Sequence, residues 1–314
     1  MCYIGAMTRL EPQYGWLKWV FGIILLLIIL GLGLQEWRSS QVIGKSEYRF
    51  NLAVIKPDVG VTFVSFDPAE ESILLMPFPD NLAINSRSKG EYSIASLYKL
   101  GSYDGSGGMF ARQKIQGFMR VPVPGFIVTN LQEDNPQNMI KKSLWRLLLG
   151  KMDSSLSRFD AIALLVRANQ YSWREISEAE LVRAAVIEKK DKGNYIYHSN
   201  RLQEFVGSRL FDWGIGAEGL TVAIVNASGE NGLGSDLADF LSNLGIDVVM
   251  VRSAQTSELL DVTEWQVNTK EDAQELSYVF KNLFSFNDPK IEKVPEEFRA
   301  KVVIKVGKDA KELF

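Results

Sequence analysis

The sequence predicts an α/β protein with an N-terminal transmembrane helix, a mixed α/β middle domain and a small β-α-β-β-α-β C-terminal domain. Three observations predict it. Val20 to Leu34 carries no polar side chain. Short β-branched and aromatic runs between Phe50 and Leu75 give way, from Ile140 onward, to apolar stripes at helical spacing. Leu220 to Val251 reads as strand, glycine-punctuated turn, amphipathic helix and strand. The predicted boundaries are an N-terminal tail at 1–15, the membrane helix at 16–37, a linker at 38–48, the middle domain at 49–212 and the C-terminal domain at 218–314.

A helix from Trp16 to Trp37 would be about 33 Å long, enough for a hydrocarbon core of about 30 Å. Its large apolar residues favour insertion by roughly 4 to 7 kcal/mol. Trp16, Trp19 and Trp37 suit the interfacial aromatic belt and are read as the membrane anchor. A cleaved signal peptide is the competing reading. Gly31-Leu32-Gly33 is a poor cleavage site, and no A-x-A follows. Arg9 and Lys18 on one side balance Arg38 and Lys45 on the other, so charge alone leaves the orientation open.

The 314 residues allow about two folded domains. A net charge of −3 gives no sign of a nucleic-acid surface, which needs clustered lysine and arginine. The single cysteine, Cys2, excludes an internal disulfide framework and a cysteine-bound zinc site. Nothing in the sequence calls for a cofactor or a bound metal.

After the anchor, Gln35 to Glu47 reads as a polar connector. Phe50–Ile55, Val61–Phe66 and Ile73–Leu75 are strand candidates, each bounded by Pro, Gly or Asp. Ser86 to Gly90 reads as a polar turn. GSYDGSGG at 101–108 reads as a flexible loop. Val121 to Thr129 is a strand broken by Pro122, Pro124 and Gly125, which suits an edge or a bulge. Ile140, Leu144, Leu147 and Leu148 form one helical stripe, and Ala161 to Ala168 a second helix. Ser177 and Glu180 have capping-box spacing and start a third helix, expected to run to Gly193-Asn194. Asp212 to Glu218 suits an interdomain joint.

In the last domain Leu233, Leu237, Phe240, Leu241 and Leu244 fall on one helical face, and Gly245 sits where a C-cap belongs. Thr263–Val267 reads as a third strand, a capping-box-like Thr269–Asp272 opens a second helix, and Lys301–Val306 is the last strand. That order suggests a ferredoxin-like or split-βαβ sandwich.

The C-terminal segment resembles the C-terminal domain of the LytR-CpsA-Psr cell-envelope family. That domain opens with V-x-V-x-N-[AG]-[ST]-G, matched here by Val222 to Gly229. Gly232-Leu233 matches its helix start, Leu241 to Val248 its L-x-x-x-G-[FI]-x-V, and Val302 to Asp309 its closing V-V-V-x-x-G-x-D. The middle domain resembles the family's catalytic domain more faintly. Asn51 to Ile55 looks like its N-I-L-L-L strand, VTFVSFDP at 61–68 like I-M-L-V-S-I-D-P, ILLMPFPD at 73–80 like the strand ending in S-I-P-R-D, and SIASLYKLG at 93–101 like K-I-N-A-A-Y-x-x-G. The resemblance implies an internal N-terminus, an extracytoplasmic body at the cell membrane of a bacterium, and transfer of a glycopolymer from a polyprenyl-pyrophosphate carrier to peptidoglycan.

Such a transfer needs arginines and a carboxylate-held divalent metal on the pyrophosphate. Here the chain departs from the family. Pro79 stands where the arginine of S-I-P-R-D belongs, and Val59 where the aspartate of R-S-D-T belongs. Proline offers no charge and valine cannot bind metal. No catalytic residue is therefore assigned. Asp80 keeps its place, Asp58 matches the aspartate closing the first strand or is a turn residue, and Asn226 stands in the glycine turn. These three are the candidate ligand-binding residues. Arg112, Lys114 and Arg120 read either as a replacement basic patch or as a solvated helix face. His198, the only histidine, reads as packed rather than as a catalytic base.

The expectation is a membrane-anchored envelope protein that does not catalyse. Its expected partners are the lipid bilayer and a cell-wall glycan, a polyprenyl-linked precursor or another envelope protein, with no nucleic acid. The alternative is a phosphotransferase that attaches glycopolymers from polyprenyl-pyrophosphate carriers to peptidoglycan.

Overall fold

The computed structural model describes residues 19–24, 31, 37, 40, 42–43, 47–86, 90–190, 193–216, 219–255, 258–277, 280–281, 284 and 286–313. The chain divides into two compact units, Met1–Ser40 and Gln41–Phe314. In the first, residues 19–24 are helical, and Trp19 and Trp37 are exposed. Trp16 and most of the expected 16–37 span lie outside the described residues. Among the described residues no helix is long and apolar enough to cross a membrane.

The second unit opens with an antiparallel meander, β1 (Phe50–Lys56), β2 (Gly60–Asp67) and β3 (Ser72–Pro77). A hairpin follows, β4 (Ala83–Ser86) and β5 (Gly90–Ser93), then α1 (Leu97–Ser102) and α2 (Gly107–Met119). β6 (Gly125–Val128), α3 (Pro136–Leu148), α4 (Arg158–Gln170) and β7 (Ser172–Glu175) complete the main sheet, ordered β6-β1-β2-β3-β7. β6 pairs with β1, and β7 with β3, in parallel. The proline-interrupted run thus lies at an edge, where missing N–H donors cost least.

Both faces of this sheet are covered. Leu52, Val54, Val64, Phe66, Ile73 and Leu75 pack on one side against α3 and α4. Ala53, Ile55, Phe63, Leu74 and Met76 pack on the other against α2 and residues 176–210. Burial on two faces explains why these strands are nearly all apolar rather than alternating. Val42 is also buried in the α3–α4 core, so the connector is not polar throughout as the sequence suggests.

The GSYDGSGG stretch is ordered rather than a flexible loop. A Cβ on Gly101 would lie 2.4 Å from Phe110, and one on Gly108 only 2.1 Å from the Phe126 ring. Gly101, Gly107 and Gly108 are there for close packing, and Gly105, at φ +71 with open space around it, makes the turn between them. The helix starting at Ser177 also ends earlier than its cap suggests. α5 spans Glu178–Arg183 only. Ala185 adopts φ +54, which a right-handed helix does not accommodate, and the chain turns into the hairpin β8 (Ile187–Lys189) and β9 (Tyr195–Tyr197), with Val186 and Ile187 buried in the core. α6 (Ser199–Arg209), α7 (Trp213–Gly216) and the last domain follow.

That domain is β10 (Thr221–Asn226), α8 (Leu233–Asn243), β11 (Asp247–Ser253), β12 (Glu264–Val267), α9 (Lys270–Ser277), β13 (Lys290–Ile291) and β14 (Val302–Val306). Strand order is β11-β10-β14-β12-β13. β10 lies directly beside β11 in parallel and beside β14 in parallel; only β12 and β14 are antiparallel. The first βαβ unit is therefore closed rather than split, which corrects the ferredoxin-like expectation. The order of elements could not decide this, because pairing depends on which strand edges meet. Leu233, Leu237, Phe240 and Leu241 are all buried against Trp265, Phe280 and Ile304. Each such side chain contributes about 2 kcal/mol.

The middle and last domains are bound together. Arg120, in a left-handed conformation after α2, bridges Asp236 (2.9 Å) and Asp239 on α8. The Asn243 amide donates to the Arg120 carbonyl (2.9 Å) and to Gln203 (2.7 Å).

Candidate functional site

The sequence pointed to the end of the sheet where β1 turns into β2 and β3 ends. Asp58 sits in that turn with φ +59, beside exposed Val59. A Cβ on Gly60 would lie 3.9 Å from the Asp80 Cα. Asp58 and Asp80 are thus exposed at the same end of the sheet. Among the described residues neither enters an ion pair or a side-chain hydrogen bond.

The three cations considered as replacements are committed elsewhere. Arg112 donates to the Val123 carbonyl (2.9 Å), and burial lowers the pKa of its guanidinium. Lys114 lies over the Phe110 ring. Arg120 is neutralised at the domain boundary. His198 is not packed as expected: it is exposed and meets Glu188 at 3.0 Å, because its hairpin end faces solvent. Asn226 is tied into its own loop. Its Nδ2 donates to the Glu230 carbonyl (2.7 Å), and its Oδ1 accepts from Ser228 Oγ (2.6 Å). Among the described residues no three His, Cys, Asp or Glu side chains come together to hold a metal.

A better-built site lies at the opposite end of the same sheet. β2 runs from Gly60 to Asp67, so the two ends are roughly 24 Å apart at the strand rise. Here a cleft of about 480 Å³ is lined by Arg49, Arg174 and Arg209, by Asp67 and Glu70, and by Ser72, Ser172, Ser208 and Phe211.

Arg49 forms the floor. Its side chain is only 8% exposed and pairs with Asp67, itself 5% exposed. Its Nη1 donates to Ser65 Oγ (3.1 Å), and its Nη2 donates to the Phe211 carbonyl (3.2 Å). The Arg49 backbone N–H donates to buried Asp212 (2.9 Å), which fixes where the chain enters β1. Asp67 also accepts from the N–H groups of Ala69 (3.0 Å) and Glu70 (3.3 Å), so the turn after β2 orients its carboxylate. Burial lowers the Arg49 pKa, and Asp67, Asp212 and Glu70 oppose that shift. The walls come from edge strand β7 and the end of α6. Glu180 is shared by Arg174 (3.3 Å) and Arg209 (3.2 Å), and the Arg209 guanidinium stacks on Phe205 at 4.4 Å.

Three guanidinium groups thus share the cleft lining with two carboxylates, Asp67 and Glu70, and Glu180, outside the lining, pairs with Arg174 and Arg209. A phosphate can only accept hydrogen bonds here and would be repelled by the carboxylates. A sugar hydroxyl donates to a carboxylate and accepts from a guanidinium at once. The volume suits a small ligand. Positions 49, 174 and 209 were not singled out from the sequence. They are far apart in the chain, and each taken alone reads as an ordinary charged residue at the end of an element.

Residues 219–309 match the family model described as LytR cell envelope-related transcriptional attenuator. The C-terminal domain belongs to that family. The LytR-type domain thus begins just after α7 and takes in every strand from β10 to β14.

Solved structures similar to this chain include the LytR-CPS2A-psr family protein YwtF (TagT) with bound octaprenyl pyrophosphate lipid, at 13% identity over 52% of this chain and 89% of that one, TM-score 0.36. B. subtilis TagU is similar at 10% identity over 50% and 93%, TM-score 0.37. TagT bound to LIIa-WTA is similar at 13% identity over 51% and 89%, TM-score 0.36. No curated protein matches.

Proposed function

We propose that this chain is a membrane-anchored bacterial cell-envelope protein that works by binding rather than by catalysis. Its body is extracytoplasmic, and it holds a hydroxyl-rich envelope glycan in the Arg49–Asp67 cleft. The observation that carries the reading is charge compensation: each of the three guanidinium groups lining the cleft is already paired with a carboxylate, Arg49 with Asp67 in the lining and Arg174 and Arg209 with Glu180 beside it. The LytR-type C-terminal domain supports an envelope setting. The motif positions taken by Pro79 and Val59, and the lack among the described residues of a cation paired with Asp58 or Asp80, support the absence of pyrophosphate chemistry.

The test is calorimetric titration of the full chain with a panel of neutral N-acetylhexosamine oligosaccharides and, separately, with inorganic pyrophosphate. Sugar binding that Glu180→Gln weakens is expected. That variant should gain pyrophosphate affinity instead, because Arg174 and Arg209 lose their shared carboxylate. Pyrophosphate binding tighter than any sugar, in the unsubstituted chain, would refute the reading. The phosphotransferase alternative makes its own demand. It requires metal-dependent turnover of a polyprenyl pyrophosphate that Asp80→Ala abolishes.

A further inference from the structure

The outer surface of α3 and α4 carries an apolar patch that the fold leaves uncovered. The inward faces of these helices, with Ile140, Leu144 and Leu147 on α3 and Ala161, Leu164 and Leu165 on α4, are buried in the core. Their outward faces expose Trp145 (61%), Leu149 at the end of α3 (64%), Ile162 (48%) and Val166 (48%). Pairs four residues apart lie one above the other on a helix, so each helix presents one exposed stripe.

The charges around this patch have one dominant sign. Between Pro136 and Gln170 there are six Lys and Arg but only two Asp and no Glu, in a chain whose net charge is −3. Asp160, in the capping box of α4, and Arg167 are buried, Asp153 is exposed, and Glu133 and Asp134 lie just before α3, which leaves the exposed cations in the majority. Lys142, Arg146, Lys151 and Arg158 are exposed around the patch, and of these Lys142 also meets Glu133. Exposed tryptophan and leucine ringed by lysine and arginine fit the boundary between lipid headgroups and acyl chains.

We infer that the α3–α4 face docks onto an anionic lipid surface, with Trp145 and Leu149 at the acyl boundary and the surrounding cations on the headgroups. This goes beyond glycan binding and is independent of the cleft. It is a second membrane contact, separate from the expected anchor.

The test uses the full chain with Cys2→Ser and Leu149→Cys, labelled with an environment-sensitive fluorophore and placed in nanodiscs of anionic or purely zwitterionic lipid that carry a lipid-borne quencher. A matching label at Leu259→Cys, on an exposed site of the LytR-type domain, is the control. Quenching at 149 in anionic discs is expected, with none at 259. Salt at about 1 M, where the Debye length is about 3 Å, should release it, as should Lys142→Glu with Arg146→Glu. A label at 149 that stays unquenched, or is quenched equally in both lipids, overturns the docking while leaving the anchor standing. A chain that fails to enter discs sinks the anchored reading instead. The same label is then read with anionic vesicles added to the free chain, and absence of quenching there overturns the docking as well.

Discussion

Arg49→Met removes the floor of the cleft while keeping a long side chain. The pair it breaks is nearly closed to water, at 8% and 5% side-chain exposure. Breaking a buried pair by deleting one partner costs about 3 to 5 kcal/mol, because the remaining charge stays buried. Asp67 keeps two backbone donors, from Ala69 and Glu70, so the low end applies, about 3 kcal/mol. At the usual scaling for a chain of this size, that lowers the melting temperature by roughly 6 to 12 °C. Adding Asp67→Asn removes the stranded charge, while its amide oxygen still accepts from the turn. The double variant should therefore recover part of the loss, giving a coupling energy of about 2 kcal/mol. The assay is urea denaturation of all four proteins at neutral pH, followed by circular dichroism. Additive losses, with coupling below about 0.5 kcal/mol, would show that Arg49 is a solvated surface cation, and the argument for a built cleft would fail with it.

Gly108→Ala should destabilise by about 1 to 3 kcal/mol in the same assay, because its Cβ would fall 2.1 Å from the Phe126 ring. A neutral result would mean the 101–108 stretch can shift without cost. Arg120→Ala removes the ion pairs with Asp236 and Asp239 at the domain boundary, and amide exchange should rise in both α2 and α8; a rise confined to α2 would refute the latch. Burial raises the Tyr197 hydroxyl pKa above its ordinary value of 10.0, with the Asn85 backbone hydrogen bond opposing the shift. A raised folded pKa gives stability that is present below pH of about 10 and lost as pH climbs through the folded value. Unfolding free energy should fall above that pH, and Tyr197→Phe should remove part of the fall; an unchanged slope contradicts the burial argument.

Local signals located most of the elements. The three opening strands, the stripe from Leu233 to Leu244 and the caps at Ser177 and Thr269 are set by residues a few positions apart, so composition and spacing reveal them. The β4–β5 hairpin was missed because its strands are four residues each, and α6 was missed although Leu202, Phe205, Val206 and Leu210 fall at helical spacing. The glycines at 101 and 108 misled, since a glycine chosen to admit Phe110 or Phe126 looks the same in sequence as one chosen for freedom.

The candidate site divides the same way. Asp58 and Asp80 could be picked out because each lies in the turn just after a recognisable strand, and the absence of a neighbouring arginine was visible at Pro79. The Arg49–Asp67 cleft could not be. Its charges come from the start of β1, the end of β2, an edge strand and two helices, joined only when Asp212 pins the entry to β1 and Glu180 draws Arg174 and Arg209 together. The sequence by itself determined the periodicities, the apolar N-terminal run and the LytR-type signature, because these are properties of neighbouring residues. Tertiary structure alone decided the closed β10–α8–β11 pairing, the charge balance of the cleft and the uncovered α3–α4 face. Each of these depends on which distant surfaces exclude water together.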